Sequence, residues 1–259
     1  MRLPRKFLLF LGLSAGLYGL ACLWLYWNQN AMLYHPMPDL GREPDQRIWV
    51  GQNPRLQVSL LNPENQKVLF YFGGNAEAVN QNIAQFRRLF AEFRVVLVHY
   101  RGYGASQGTP SEAGLKADAL QIYDFLAKDA TDILVMGRSL GSGIAVYVAA
   151  HRPVNGLILV TPYDSMAEVA RGHYPIFPVR WLIRDSYDCL QDAALIPTAT
   201  LILAAQFDRV IPITHAQNLA SAMAQVQFES LAAGHNTVHV DPNYEPMIQT
   251  FLKTITSHD

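Results

Sequence analysis

The chain has 259 residues, 50% of them hydrophobic, with 20 Lys and Arg against 21 Asp and Glu. One α/β domain fits that length, and a charged fraction of 16% with scattered Gly and Pro excludes disordered, collagen-like and low-complexity classes. No basic surplus supports nucleic acid as a partner, two cysteines make no disulfide framework, and no zinc-type Cys or His spacing occurs, so neither metal nor cofactor is expected.

The first element, Phe7 to Trp27, is a run of 21 uncharged residues, FLLFLGLSAGLYGLACLWLYW. As a helix it spans roughly 30 Å, the thickness of a bilayer's hydrocarbon layer. A buried globular helix seldom stays apolar on every side for so long. Arg2, Arg5 and Lys6 precede the run and Asn28, Gln29 and Asn30 follow it, so the N-terminus is expected in the cytoplasm and the catalytic part outside it, in the periplasm if the source is bacterial. The run is longer than the apolar core of a cleaved signal peptide, and Gly19-Leu20-Ala21-Cys22 lacks the leucine of a lipoprotein signal. A retained single-pass anchor is the expectation. Gly12 and Gly16 form a GxxxG pair, a face for homodimer contact in lipid. The expected divisions are a cytoplasmic segment 1–6, an anchor 7–27, a Pro-containing stem 28–45 and a domain 46–259 with a lid at about 162–195.

Beyond the stem, short apolar runs alternate with longer amphipathic stretches, the pattern of a mostly parallel sheet with crossover helices. Val68 to Phe72 is the first strand of this kind, and it ends in Phe72-Gly73-Gly74-Asn75-Ala76. Its glycines allow close backbone approach, so the amide of Asn75 or Ala76 can meet a developing oxyanion; Asn75 is taken. Helix 78–90 follows, then strand Val95 to Tyr100 and the loop Arg101-Gly102-Tyr103-Gly104, where the arginine is read as a brace. Thr109-Pro110-Ser111-Glu112 reads as a capping box opening a helix through Leu126, with Thr109 as the cap.

The strand Ile133 to Gly137 runs directly into Gly137-Arg138-Ser139-Leu140-Gly141, a G-x-S-x-G motif between a strand and a helix. That context holds a serine hydroxyl above the sheet, which makes Ser139 the candidate nucleophile and the Leu140 amide the second oxyanion donor. Arg138 either meets an anionic substrate or turns inward to a carboxylate. After strand Leu157 to Val160, an aromatic and proline-rich segment reads as the inserted lid.

A serine hydroxyl needs a base, and the base needs an orienting carboxylate, in the chain order Ser, acid, His for this kind of turn. Asp208 follows strand Leu201 to Ala204, and His235 follows strand Val226 to Leu231. Both lie where α/β sheets place ligands. His239, His173 and His215 are the rival histidines; Asp164 and Asp188 are the fallback acids.

Taken together, FGGNAE, HYRGYGASQG, GRSLGSG, the Asp of FDRVIP and the His of AGHN resemble the α/β-hydrolase superfamily, in particular its single-pass, membrane-anchored serine hydrolases, over residues 46 to 259. The resemblance implies the α/β-hydrolase fold and a Ser139, Asp208, His235 triad. Relatives usually carry His-Gly-Asn-Ala after the third strand, whereas this chain has Gly73 in place of the histidine. Acyl-protein thioesterases and lysophospholipases are among them, so the implied reaction is hydrolysis of an acyl ester or thioester through an acyl-enzyme. A peptidase or amidase would use the same residues, and a catalytically silent, membrane-tethered binding module would keep the fold.

Overall fold

The structure, a computed structural model, describes residues 4–256. Arg2 of the basic flank, the rest of segment 1–3 and the final residues 257–259 lie outside the described residues. The chain opens with α1 (Arg5–Leu33), none of whose residues is buried. Among the described residues it is the one helix long and apolar enough to cross a membrane. Gly12 and Gly16 face open space.

The helix continues past Trp27 because Asn28 and Gln29 turn their amides back onto the carbonyls of Trp24 and Tyr26, at 2.8 Å each. It ends where Tyr34 becomes extended and buries its ring. The Tyr34 hydroxyl bonds to Asp185 at 2.8 Å and to Tyr187 at 2.7 Å. Residues 35–45 then lie along the domain as a strap, with Asp39 accepting from Gln57 at 2.6 Å and Asn80 at 2.7 Å.

Eight strands form one sheet: β1 (Gln46–Val50), β2 (Leu56–Leu61), β3 (Lys67–Phe72), β4 (Phe93–Val98), β5 (Ile133–Arg138), β6 (Gly156–Val160), β7 (Thr200–Ala205) and β8 (Val226–Leu231). Their spatial order is β1-β2-β4-β3-β5-β6-β7-β8. The pairs β1/β2 and β2/β4 are antiparallel, and the rest are parallel. A sheet covered on both faces explains the continuous apolar runs of β3 to β7.

Alternation divides each strand between two cores. Val68, Phe70 and Phe72 join α3 (Glu112–Leu126), α4 (Leu140–His151) and α8 (Ile213–Ser221) on one face; Leu69 and Tyr71 join α2 (Ile83–Leu89) and α9 (Tyr244–Thr256) on the other. Between β6 and β7 the lid carries three short helices, α5 (Met166–His173), α6 (Val179–Leu182) and α7 (Cys189–Ala193). Residues 78–90 are a 3-10 turn leading into α2 rather than one helix.

The cap of α3 differs from the expected one. Ser111, in an extended conformation, accepts from the Gly114 amide, and the helix begins at Glu112. The carbonyl of Pro110 is taken by the Asn30 side chain at 2.7 Å, which keeps Thr109 and Pro110 outside the helix.

β2 contains buried polar residues, each satisfied. Gln57 reaches the Ala105 amide at 2.8 Å, and Ser59 bonds to His99 Nε2 at 3.0 Å. Burial pushes the His99 pKa down to about 4. Because the folded form binds this proton less readily than the unfolded chain, stability is lost as pH falls from about 6.5 towards 4. Denaturation in detergent should therefore show the parent losing about 2 kcal/mol more than His99→Gln between pH 7.5 and pH 5. Equal losses would remove His99 as the cause.

Candidate active site

Ser139 stands at the turn from β5 into α4 with φ 50° and ψ −118°. A non-glycine residue in this region costs of order 1–3 kcal/mol and persists only where the surroundings enforce it. Here the enforcement is close packing. A side chain on Gly141 would strike the carbonyl oxygens of Phe72 and Gly73, and one on Gly137 would strike the Gly141 carbonyl. The Ser139 amide donates to Val160 at 2.9 Å, and its carbonyl accepts the Ser142 hydroxyl at 2.6 Å.

The structure brings the three predicted site residues together. His235 Nε2 lies 2.9 Å from Ser139 Oγ, and His235 Nδ1 lies 2.7 Å from Asp208 Oδ2. The tautomer that satisfies both contacts has Nδ1 donating to the carboxylate and Nε2 accepting the serine hydroxyl. Asp208 uses its other oxygen to accept the amides of Val210 at 2.8 Å and Ile211 at 2.7 Å, which fixes the carboxylate just past β7. The histidine loop is closed by Thr237, whose Oγ1 accepts the Gly234 amide at 3.0 Å.

The loop after β3 borders the same place: a side chain on Gly74 would lie 3.6 Å from Ser139 Cβ. The Gly74 amide is occupied by Glu77 at 2.7 Å, and the Ala76 amide faces the Asn75 side-chain oxygen at 3.1 Å. Among the described residues no acceptor meets the Asn75 amide, nor the Leu140 amide at the first position of α4. These are the two amides the sequence singles out.

Two features of this loop went unread in the sequence. The Asn75 side chain accepts from the His35 amide at 2.9 Å and the Tyr103 hydroxyl at 2.8 Å, and donates to the Leu33 carbonyl at 2.6 Å. It fastens the loop to the end of α1. Glu77 accepts from Tyr71 at 2.7 Å, from Asn82 at 2.6 Å and from the Gly74 amide, and faces Arg138 at 3.5 Å. Its place three residues after Gly74 is the only sequence signal for that bond, and such a spacing is common. Burial, followed by the Glu77 charge, holds the Tyr71 hydroxyl well above its usual pKa, so it stays a donor.

The rival residues are elsewhere engaged. Asp164 accepts from His215 at 2.7 Å and Asn218 at 2.8 Å. Asp188 caps α7, and His173 bonds to the Val210 carbonyl at 2.9 Å. His239 lines a polar cleft with Glu77 and Arg138, on the inner side of the loop, and burial followed by the Arg138 charge lowers its pKa. Arg138 turns inward to Glu77, and Arg101 forms a two-pronged pair with Asp118 at 2.7 and 2.6 Å, bracing its loop.

A family model described as the α/β hydrolase fold matches residues 67–196, and the chain belongs to that family. An uncharacterized protein of Mycobacterium tuberculosis, Rv2307c, is 38% identical over 135 residues, covering 51% of this chain and 48% of that protein. Lysophosphatidylserine lipase ABHD12 of Macaca fascicularis is 28% identical over 220 residues, covering 71% of this chain and 55% of the lipase. The chain thus spans about half the length of the curated relatives it matches. An esterase of Pyrococcus furiosus has the same fold, with a TM-score of 0.68 at 16% identity over 86% of this chain and 98% of the esterase. The chain is an α/β hydrolase with lipase and esterase neighbours.

Proposed function

We propose that this chain is a serine hydrolase that cleaves a carboxylic ester or thioester, on an acyl-lipid or acylated-protein substrate, through an acyl-enzyme. The observation that carries the proposal is the unbroken chain of contacts from Ser139 through His235 to Asp208, with two unoccupied amides beside it. His235 Nε2 takes the proton of Ser139 Oγ as the oxygen attacks the acyl carbon. The carbonyl oxygen becomes an oxyanion and accepts from the Leu140 and Asn75 amides, reinforced by the positive end of α4. Collapse of the intermediate breaks the bond to the leaving alcohol or thiol, which receives the proton from His235. Water then gives a proton to His235 and attacks the acyl-enzyme, and as the acid is released the departing Ser139 oxygen takes that proton back from His235. Asp208 orients the imidazole and stabilises its charged form.

In the same reading, α1 crosses a membrane once, with Arg5 and Lys6 on the cytoplasmic side and the hydrolase domain outside, in the periplasm if the source is bacterial. The length and apolar composition of the helix support this. The open faces of Gly12 and Gly16 suit close approach of a second helix, giving a homodimer.

Ser139→Ala should lower hydrolysis of short p-nitrophenyl esters by at least about 10⁴-fold and abolish labelling by a fluorophosphonate, with the thermal midpoint unchanged; parent-like turnover would refute the assignment. Asn75→Ala keeps the backbone amide but releases the loop from Leu33, His35 and Tyr103, and should cut kcat roughly tenfold with little change in KM. Gly12→Leu should remove cross-linked dimer in lipid; an unchanged yield would exclude that face.

A further inference from the structure

Midway along α1, the Tyr18 hydroxyl donates to the carbonyl of Ile176 in the lid at 2.7 Å. The Tyr18 ring stacks on Phe177, with centroids 5.7 Å apart and planes 6° from parallel. With α1 read as a crossing helix, this contact fixes where the lid sits, and the lid's placement rests on that reading. From Phe7 to Tyr18 the helix rises about 16 Å, short of the ~30 Å hydrocarbon layer. A helix that crosses therefore carries Tyr18 inside the layer, and the lid segment bound to Tyr18 enters with it.

The depth can be read from the other end. Tyr26 and Trp27 close the apolar run, and the Arg184 guanidinium lies 5.1 Å over the Tyr26 ring. Aromatic and basic residues of this kind mark a membrane's water boundary. Tyr18 lies about 12 Å further along the helix, well below that boundary.

The lid tip, Tyr174–Leu182, has the composition and bonding for such a place. Ile176 is 73% exposed and Trp181 88% exposed, an unusual state for such side chains in water. Hydrocarbon offers no partner to a free backbone group. Here Pro175 and Pro178 have no amide hydrogen, the amides of Tyr174, Phe177, Val179, Trp181 and Leu182 donate within the lid, and Tyr18 takes the Ile176 carbonyl, which leaves the Ile176 and Arg180 amides as the tip's donors without an acceptor among the described residues. The one charge in the segment, Arg180, is neutralised by Glu168 at 2.7 Å. Beside the tip, an apolar groove of about 250 Å³ separates α1 from the lid, lined by Leu25, Met32, Leu33, Val169, Phe177 and Leu182. Its α1 wall starts at Leu25, level with the Tyr26 and Trp27 boundary, and runs to Leu33 on the water side of it.

We infer that the lid tip is a second membrane-embedded element, seated in the leaflet on the catalytic side. Leu33, one of the residues lining the groove, holds the Asn75 side chain through its carbonyl.

The test uses the full chain in vesicles of phosphatidylcholine, with and without bromine at mid-acyl carbons. The four tryptophans are Trp24, Trp27, Trp49 and Trp181, and three proteins retain one each by Trp→Phe replacement of the other three: Trp24, Trp49 or Trp181. Brominated lipid should quench Trp24 and Trp181 roughly twofold and leave Trp49, on β1, unaffected. Quenching of Trp24 without Trp181 would overturn lid insertion and leave the crossing helix standing. Quenching of neither would overturn both, while the Ser139 chemistry, read by fluorophosphonate labelling, would be untouched. If a triple replacement fails to fold, Ile176→Cys with Cys22→Ser, carrying a maleimide-linked NBD dye, reports the same depth. Cys189 is buried, and that burial raises its thiol pKa, so it does not compete for the label. NBD emission insensitive to brominated lipid would overturn the inference.

Discussion

The site depends on a contact made without side chains: the Cα of Gly141 against the carbonyl oxygens of Phe72 and Gly73. That contact lets the first turn of α4 lie against the end of β3. It also forces the chain at Ser139 into a left-handed conformation, which lifts the hydroxyl off the sheet towards His235. The same closeness brings the start of α4, with the Leu140 amide, up to the loop after β3, which carries the Asn75 amide. Any Cβ at position 141 would push the helix away and separate them.

Around this turn, rigidity comes from a few buried acceptors with several donors each. Glu77 gathers the loop amide of Gly74, the Tyr71 hydroxyl and the Asn82 amide, with Arg138 supplying the countercharge. A buried carboxylate is costly unless its lone pairs are filled, and these are. Asp208 follows the same design with two backbone amides and one imidazole. Such networks hold a geometry that is ready before any substrate arrives, which is what electrostatic stabilisation of an oxyanion requires.

Much of this was legible in the chain. The strands β3 to β7 declare themselves because burial on both faces demands continuous apolar runs, Ser139 and Asp208 each follow such a run, and His235 follows the edge strand β8, whose run Val226 to Leu231 is interrupted by polar Gln227, Glu229 and Ser230. The strands β1 and β2 were hidden. β2 carries Gln57 and Ser59 in buried positions, where their partners Ala105 and His99 are more than thirty residues away, and β1 is an edge with polar Gln46 and Arg47 outward. The cap of α3 was misplaced by two residues because Asn30, some 80 positions earlier, claims the Pro110 carbonyl. The tie from Asn75 to the end of α1 is equally long-range, and local spacing carries no trace of it.

The join between α1 and the domain has no slack. The helix ends at Leu33, and the next residue, Tyr34, is 3% exposed within the larger core. A flexible linker would let a domain swivel above its anchor; here no such linker separates the helix from the core. In a bilayer, a long apolar helix adjusts to local thickness by tilting. With α1 crossing a membrane as proposed, a tilt of the helix would turn the sheet with it, and the local bilayer thickness would then set the angle at which the Ser139 cleft faces the lipid.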